Sequence, residues 1–403
     1  MDEKILISAP LTLSDWMLRP SMKKFEKPSD DAVRYVLTRC KEFGMKRVYW
    51  RTFDAGMSTY RSKLADPYVF DNHEPFYQFS EGWIPAPGED VIEQYRRCDF
   101  TEFDSLESAV RIGHELGLEI YGWISINEDD HGFGFPSRFT KEHPEFRWVR
   151  RNGYQYHSQL SFAFPEVREY KLGLVKELLE YDIDGLFLDW IRTGDIRDNP
   201  QTDAEGFADY GYEKPNVDAF RKMYGLDPHY VPNCDSRWID VRSKPITEFM
   251  RSVRKVAGDK KILVMTYAPN SFQGTMPEDF TDQTEPWIRE MEGCTFAGSK
   301  EGLLCDITTW SAENLVDAVI AAGYYTKEGS PERALNYVKE ITGERTEKFV
   351  YGWIPDQVGK FEQYSALARK YEINEVLLWE ADYIDIPEGE QRKVIAEDVK
   401  SYL

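Results

Sequence analysis

The chain has 403 residues, of which 41% are hydrophobic and 14% aromatic, so it can bury a large core. Its formal net charge of −21 argues against nucleic acid and anionic membranes as partners, because both are polyanions. The five cysteines are scattered and form no CxxC pair, a spacing that indicates neither a disulfide framework nor a thiolate zinc site.

The first residues, MDEKILISAPLTL, are acidic where a signal peptide is basic. No segment approaches the ~20 apolar residues that a membrane span needs. As written, the sequence predicts a soluble, cytoplasmic protein. A chain from which a leader had been trimmed would look similar, and that protein would be periplasmic or secreted.

Apolar strand-like segments alternate with amphipathic helical segments, which is typical of a parallel sheet with crossover helices. Eight strands are predicted, at Ile5–Ser8, Arg47–Phe53, Glu119–Ile126, Gly185–Trp190, Ile262–Tyr267, Val316–Tyr325, Phe349–Ile354 and Glu375–Glu380. The sixth of these segments reads equally well as a helix. The clearest helices are Asp30–Phe43, Leu106–Leu116, Glu166–Glu180, Ile246–Val256, Pro331–Ile341, Phe361–Tyr371 and Gln391–Tyr402, with Ser330 as the N-cap before Pro331.

Two short repeats and the lengths of the connections favour a closed barrel. YGWI occurs in the third and seventh predicted strands, and YDIDGLFLDW in the fourth resembles YEINEVLLWE in the eighth. Connections from helix to strand are tight, whereas those from strand to helix are long at 54–103, 127–165, 191–244 and 268–309. We therefore predict an α/β fold, a (β/α)8 TIM barrel in which residues 1–403 form one domain with its chemistry at the C-terminal face.

Aromatic and charged residues accumulate where the predicted strands end. Five of the eleven tryptophans lie there, and the apolar face of an indole suits the C–H face of a sugar ring. The predicted substrate-binding residues are Trp50, Arg51, Trp123, Asn127, Trp190, Arg192, Tyr267, Tyr324, Trp353 and Trp379. Alternatively, some of these indoles close the top of the barrel or point outward against helices, because the sequence does not fix which face of a strand each residue occupies.

Asp189 is the first predicted catalytic residue. It ends an apolar strand at the mouth of the barrel, and glycoside cleavage needs two carboxyl groups there, one to protonate the leaving oxygen and one to attack or to activate water. A structural ion pair with Arg51 or Arg192 is the alternative. Asp184 precedes the same strand at its opposite end, where we expect it to cap a turn.

Glu380 is the predicted second carboxyl group, because it ends the strand that resembles the Asp189 strand. It could instead form a salt bridge with a loop arginine. The competing acids are Asp54, Glu128, Asp129, Asp356 and Asp382. Asp306 is also placed in a loop, but its context CDITTW suits a helix cap equally well.

Metal and cofactor chemistry has little support in the sequence. None of the six histidines is paired at metal-ligand spacing, and GxSxG, GxGxxG and GxxxxGK[ST] motifs are missing. We predict no metal and no cofactor. The segment NEDDHG at 127–132 could hold a divalent ion or be a solvated acidic loop.

The region from His114 to Gly194 resembles a group of bacterial glycoside hydrolases known as glycosyl hydrolase-like 10. The matching segments are ELGLEIYGWISIN, SRFTKEHPEFRWVRRNGYQ, FPEVREYKLGLVKELLEYDIDGLFLDWIR, GYEKPNVDAFRKMYGLDP and ENLVDAVIAAGYYT. The resemblance implies a (β/α)8 barrel that hydrolyses glycosidic bonds, with Asp189 matching the acid that ends the fourth strand. It also implies that the sixth segment is a strand. Many members carry a second acid where this chain has Trp190, so a mechanism with two adjacent acids is not carried over.

These observations predict a glycoside hydrolase that cleaves O-glycosidic bonds with a pair of carboxylates at the mouth of the barrel. The expected partner is an oligosaccharide or glycoside. The alternatives are a non-catalytic carbohydrate-binding barrel and a metal-dependent sugar isomerase or lyase.

Overall fold

Strands and helices alternate along the described part of the chain, as the sequence predicts. The computed structural model describes residues 6–54, 56–69, 93, 95–127, 129, 137–190, 201–269, 296–322, 330–353, 361–373, 375–379 and 384–385. The barrel strands are β1 (Leu6–Leu11), β2 (Arg47–Arg51), β3 (Glu119–Ser125), β4 (Gly185–Asp189), β5 (Lys261–Tyr267), β6 (Ala318–Ala322), β7 (Glu347–Trp353) and β8 (Glu375–Trp379). All eight predicted strands are confirmed, including the ambiguous sixth.

These eight strands form one closed parallel sheet. Each strand pairs with the next along the chain, and β8 pairs with β1 through the register Leu6 to Glu375 and Ser8 to Leu377. Helices follow the strands on the outside, so the fold is a (β/α)8 TIM barrel. Within the described residues, no helix combines the length and apolar character needed to cross a bilayer.

The six predicted helices that lie within the described residues are confirmed, one of them with a much earlier start, and five further helices were not predicted. They are α1 (Leu13–Trp16), α2 (Asp30–Glu42), α3 (Ser105–Leu116), α4 (Arg138–Glu142), α5 (Pro165–Leu179), α6 (Lys214–Tyr224), α7 (Ser236–Ala257), α8 (Ser299–Leu303), α9 (Ile307–Ala312), α10 (Ser330–Ile341) and α11 (Phe361–Lys370). The prediction began α7 at Ile246, but the helix continues through Pro245 and starts at Ser236, where Asp235 caps it. The predicted helix Gln391–Tyr402 lies outside the described residues.

Consecutive side chains of each barrel strand lie on opposite sides of the sheet, and the register fixes which residues share a side. Arg51 is paired with Trp123, Trp123 with Phe187, and Ser125 with Asp189. Phe187 lies inside the barrel, where its ring contacts Tyr49 and Trp123, each at a centroid distance of 5.3 Å. Asp189 is two residues beyond Phe187 on the same strand and therefore faces the lumen at the C-terminal end.

Two insertions after β3 and β4 form an accessory unit with its own small core. The first contributes a hairpin, Arg147–Val149 with Gln155–Leu160, and the second contributes residues 201–235. Tyr212 donates its backbone N–H to the Val149 carbonyl at 2.9 Å, which joins the two insertions. Their core, continued by two residues of α7, consists of Tyr212, Val217, Phe220, Val231, Trp238 and Val241.

Arg242 on α7 fastens this unit to the barrel. Its guanidinium is fully buried and donates to the carbonyls of Ala208 at 2.6 Å, Tyr210 at 2.8 Å and Asn233 at 3.0 Å. Burial lowers the pKa of Arg242 to about 10. Gly211 passes so close that a Cβ there would lie 2.5 Å from the Arg242 Cδ, and its φ of +98° suits glycine alone.

A buried ionic network closes the barrel at the N-terminal end of its strands. Glu375 at the start of β8 is 2% exposed and accepts from Arg47 Nη1 at 2.5 Å and from the Tyr49 hydroxyl at 2.5 Å. Arg47 also contacts Glu119 on β3 at 2.7 Å. Burial raises the pKa of Glu375, and the Arg47 guanidinium opposes that shift. The network ties β2 and β3 to the last strand.

We predict that Arg47→Met lowers the free energy of unfolding by about 3–5 kcal/mol, because Glu375 is left buried without its cation. Arg34→Met is the matched control, since the Arg34–Glu115 pair has side chains 46% and 48% exposed. That control should cost less than about 1 kcal/mol. Urea unfolding measures both values, and equal losses would contradict a special role for the network.

Candidate active site

Asp189 lies at the mouth of the barrel on the lumen side. It is the last residue of β4, it is 5% exposed, and its Oδ2 accepts from the Ser125 hydroxyl at 3.4 Å. Ser125 ends the neighbouring strand β3 and is paired with Asp189 in the register. A carboxylate in this position has the placement that barrel enzymes give to catalytic groups.

Arg51 and Trp123 lie next to each other beneath this carboxylate. The Arg51 guanidinium is 5.2 Å from the centre of the Trp123 ring, and its Nε donates to the Phe53 carbonyl at 3.0 Å. Trp123 packs on Phe187 on its other neighbour strand and has no exposed surface. Both residues face the lumen, as a role at the mouth requires.

Asn127 and Tyr267 are two further predicted substrate-binding residues that the structure describes. Asn127 follows β3 by two residues and is 1% exposed, and among the described residues neither its Oδ1 nor its Nδ2 has a hydrogen-bond partner. Buried amides are normally hydrogen-bonded, so this side chain is available to a ligand. Tyr267 ends β5 and stacks on Phe296 at a centroid distance of 6.2 Å.

The prediction that Trp50 binds substrate is wrong. Trp50 faces outward between the barrel and its helices, where it packs on Trp16 at 4.9 Å and donates its Nε1–H to the Ser105 hydroxyl at 3.1 Å. It is fully buried. The adjacent Arg51 takes the lumen side, so the outward position of Trp50 follows from strand alternation.

The prediction that Trp190 binds substrate is wrong for the same reason. Its indole, which is fully buried, lies among Phe162, Phe249 and Trp310 at centroid distances of 5.3, 6.1 and 5.6 Å. Two of these neighbours belong to α7 and α9, so the cluster joins β4 to the outer helices. The Asp189 carboxylate and the Trp190 indole therefore lie on opposite sides of the sheet.

Several predicted residues lie outside the part of the chain that the structure describes. Glu380, Arg192 and Tyr324 are among them, as are the competing acids Glu128, Asp356 and Asp382. For Trp353 and Trp379 the backbone is described, and the two residues are register partners at the ends of β7 and β8.

Three further acids discussed above have structural contacts. Asp129 forms a buried ion pair with Lys171 of α5, Oδ1 to Nζ 2.7 Å, with both side chains 1% exposed. Asp306 caps α9 by accepting from the Thr309 N–H at 3.1 Å. Asp184 lies at the opposite end of the barrel, where its carboxylate accepts from the Ile120 N–H of strand β3 at 2.7 Å rather than from the turn that was expected. Among the described residues, no three His, Cys, Asp or Glu side chains converge as a metal site.

The profile of the glycosyl hydrolase-like 10 family matches residues 88–350. The chain belongs to this family. No curated protein has a sequence that matches the chain.

Solved structures that resemble this family member share its fold at low sequence identity. The catalytic domain of β-amylase from Paenibacillus polymyxa has a TM-score of 0.60 at 12% identity, covering 100% of this chain and 99% of that one. The PgaB (BpsB) glycoside hydrolase domain from Bordetella bronchiseptica has a TM-score of 0.56 at 12% identity, with 98% and 99% covered. The endo-β-1,4-mannanase from Thermotoga petrophila has a TM-score of 0.52 at 12% identity, with 100% and 77% covered.

Glu213 is a titratable group of this glycosyl hydrolase-like 10 chain that the sequence did not single out. It precedes α6 in the insertion after β4 and accepts from the Ser161 hydroxyl at 2.6 Å and from Asn216 Nδ2 at 2.7 Å. Burial raises its pKa to about 7, against the lowering effect of Ser161. The only sequence signal was its place in the GYEKPN segment that resembles the family, because its partner Ser161 is 52 residues away in the chain.

We predict that Lys171→Met lowers the free energy of unfolding by about 3–5 kcal/mol, because the buried Asp129 carboxylate then loses the cation that neutralises it. The double variant Lys171→Met/Asp129→Leu should recover most of that loss, since it removes both charges. Urea unfolding of the two variants measures the difference. Equal losses would show that Asp129 does not depend on Lys171.

A second prediction concerns pH. Because the pKa of Glu213 is raised from 4.5 to about 7 on folding, the folded protein binds this proton more tightly, and stability falls as pH rises through that interval. The loss is at most about 3 kcal/mol. In Glu213→Gln this contribution is missing, so urea unfolding at pH 4 to 8 should show wild type losing stability relative to the variant. Parallel pH profiles would contradict the assignment.

Proposed function

We propose that this protein hydrolyses O-glycosidic bonds with Asp189 as one of two catalytic carboxyl groups. The observation that carries the proposal is the position of Asp189, which ends β4 on the lumen side of the barrel beside Ser125. Membership in a glycosyl hydrolase-like family and a fold shared with glycoside hydrolases support it. Fold alone does not fix a reaction, so the proposal depends on this carboxylate.

Asp189 acts as the nucleophile or as the general base in this proposal. In the first case it attacks the anomeric carbon, and in the second it takes a proton from the attacking water. The Ser125 hydroxyl, which donates to its Oδ2 at 3.4 Å, helps to orient the carboxylate. Asp189 has little exposure, and an attacking group shielded from bulk water has stronger electrostatic interactions with the substrate.

Glu380 is our proposal for the general acid. In the sequence it directly follows Trp379, the last residue of β8, and it lies outside the described residues, so the proposal for this residue rests on the sequence alone. A separation of the two carboxyl groups of about 5–5.5 Å would give retention of the anomeric configuration, and about 6.5–9.5 Å would give inversion. The stereochemistry of the product, followed by proton NMR during turnover, distinguishes these cases.

Substrate contacts are proposed for the lumen-side residues at the mouth. The amide of Asn127, which has no hydrogen-bond partner within the described part of the chain, is suited to a sugar hydroxyl, because it can donate and accept at once. Arg51 can contact ring or hydroxyl oxygens, and Trp123 supports it from below. Tyr267 lines the same end of the barrel from β5. The remaining proposed contacts are Arg192 and Tyr324, which lie outside the described residues, and Trp353 and Trp379, of which only the backbone is described.

Asp189→Asn should lower kcat by about 10²- to 10⁴-fold, because the amide can neither attack nor accept a proton. The measurement is release of aryl alcohol or reducing ends from a panel of aryl glycosides and oligosaccharides. Asp184→Asn is the matched control, since it changes the same residue type at the opposite end of the same strand region. It should leave kcat within about twofold, provided that circular dichroism shows both variants folded.

Two outcomes would contradict the proposal. Full activity of Asp189→Asn would remove this carboxylate from the mechanism. Binding of an oligosaccharide by the wild-type protein without turnover of any substrate would instead favour a carbohydrate-binding barrel that has no catalytic activity.

A further inference from the structure

Exposed apolar side chains are concentrated on the accessory unit. Among the described residues, six large hydrophobic side chains are exposed, and all except Leu64 lie in this unit. We call these five the tyrosine surface: Tyr154, Met223, Tyr224, Leu226 and Tyr230. Tyr230 is 89% exposed, although a tyrosine ring in water forfeits the stabilisation that burial would give. A concentration of exposed apolar side chains on one small unit is typical of an interaction site, whereas single exposed hydrophobic residues are normal on any surface.

The turn that carries most of this surface is held in one conformation. Helix α6 ends at Gly225 in the left-handed conformation, and the next residues form a short 3-10 helix at Pro228–Tyr230. Asp227 fixes the turn by accepting from Arg221, from the His229 N–H at 3.0 Å and from the His229 ring at 2.8 Å. A ligand that binds here therefore meets rings on an ordered backbone, and less conformational entropy is lost on binding.

Guanidinium groups lie over two of the rings. The Arg237 guanidinium is 5.4 Å from the centre of the Tyr224 ring, and Asp235 holds it through contacts of 3.0 and 2.6 Å. The Arg150 guanidinium is 5.5 Å from the centre of the Tyr154 ring. Each cation fixes the orientation of a ring whose remaining surface is exposed. Planar rings held in this way are suited to stacking on a flat apolar ligand face.

The tyrosine surface lies on segments that leave the same end of the barrel as Asp189. The hairpin belongs to the connection after β3, and the turn after α6 belongs to the connection after β4. Arg151 Nη2 donates to the His229 carbonyl at 2.7 Å, so the hairpin turn with Tyr154 is in direct contact with the turn that carries Tyr230. The two turns that carry Tyr154 and Tyr230 therefore belong to connections that both leave the barrel at its C-terminal end.

The chemistry of the surface points to a neutral sugar polymer. The C–H faces of pyranose rings stack on aromatic rings, and a repeating chain presents many such faces in a row. Residues 213–237 contain four basic and four acidic side chains, so this region is electrically balanced, whereas the whole chain carries −21. A neutral chain can approach without the repulsion that a polyanion would meet.

We propose that the tyrosine surface is a second glycan-binding site, separate from the catalytic mouth, which holds a neutral polysaccharide beside it. The role of this site rests on the proposed function, because a polysaccharide held there would present its glycosidic bonds to Asp189. Binding itself needs no turnover, and so it can be tested independently.

The test is affinity electrophoresis in native gels that contain galactomannan, xyloglucan or soluble starch. Wild-type protein and Asp189→Asn should both be retarded in at least one of the three gels. The double variant Tyr224→Ala/Tyr230→Ala should lose affinity for that polysaccharide by about tenfold or more. Tyr371→Ala is the matched control. The Tyr371 ring also lies beside cations, Lys339 and Lys370, but it belongs to the connection before β8, at the opposite end of the barrel. Migration of this variant should be slowed as much as that of the wild type.

Kinetics provides the second readout. In the double variant, kcat/KM on the retarding polysaccharide should fall about tenfold, while kcat/KM on a short aryl glycoside stays unchanged. Failure of retardation in all three gels, or equal retardation of wild type and double variant, would overturn the proposal. A dimer in light scattering that dissociates in the double variant would also overturn it, because the surface would then bind a second copy. If Asp189→Asn keeps full turnover while the tyrosine variant loses retardation, the proposed function fails and this site stands.

Discussion

The alternation of side chains along the strands of a closed barrel is the constraint on which the site depends. Once the register placed Phe187 in the lumen, Asp189 had to face the lumen as well, and Trp190 had to face the helices. The same rule places Arg51 inside and Trp50 outside. Strand alternation thus places Asp189 and Arg51 in the lumen and places the indoles of Trp50 and Trp190 against the outer helices.

Much of the fold could be predicted from the sequence because the signals are local. Apolar segments of four to eight residues between amphipathic helices predicted seven strands directly, and the family resemblance decided that the ambiguous sixth segment is a strand. Unequal connection lengths predicted that the chemistry lies at the C-terminal face. The start of α7 could not be found this way, because Pro245 reads as a helix boundary while packing of Trp238 and Val241 keeps the preceding turns helical. Tertiary contacts overrode a local preference there.

The site was less predictable, since its decisive facts are long-range. Sequence identified Asp189 but could not assign strand faces, and so it grouped Trp50 and Trp190 with Trp123. The burial of Glu213 depends on Ser161 and Asn216, and that of Asp129 depends on Lys171. Ser161 and Lys171 are 52 and 42 residues away from these acids, so neither partner is visible in a local pattern. Buried charges such as these hold long connections in place, which leaves the mouth on a fixed support.

The ionic network at the base of the barrel has a consequence for how the protein acquires its shape during synthesis. The contact between Arg47 and Glu375 spans 328 residues, so its two ends leave the ribosome far apart in time. Until the last strand emerges, the nascent sheet has two open edges and an arginine without its acid. Open edges can pair with other chains, so closure of the ring by β8 also ends a period in which the nascent protein is prone to aggregate.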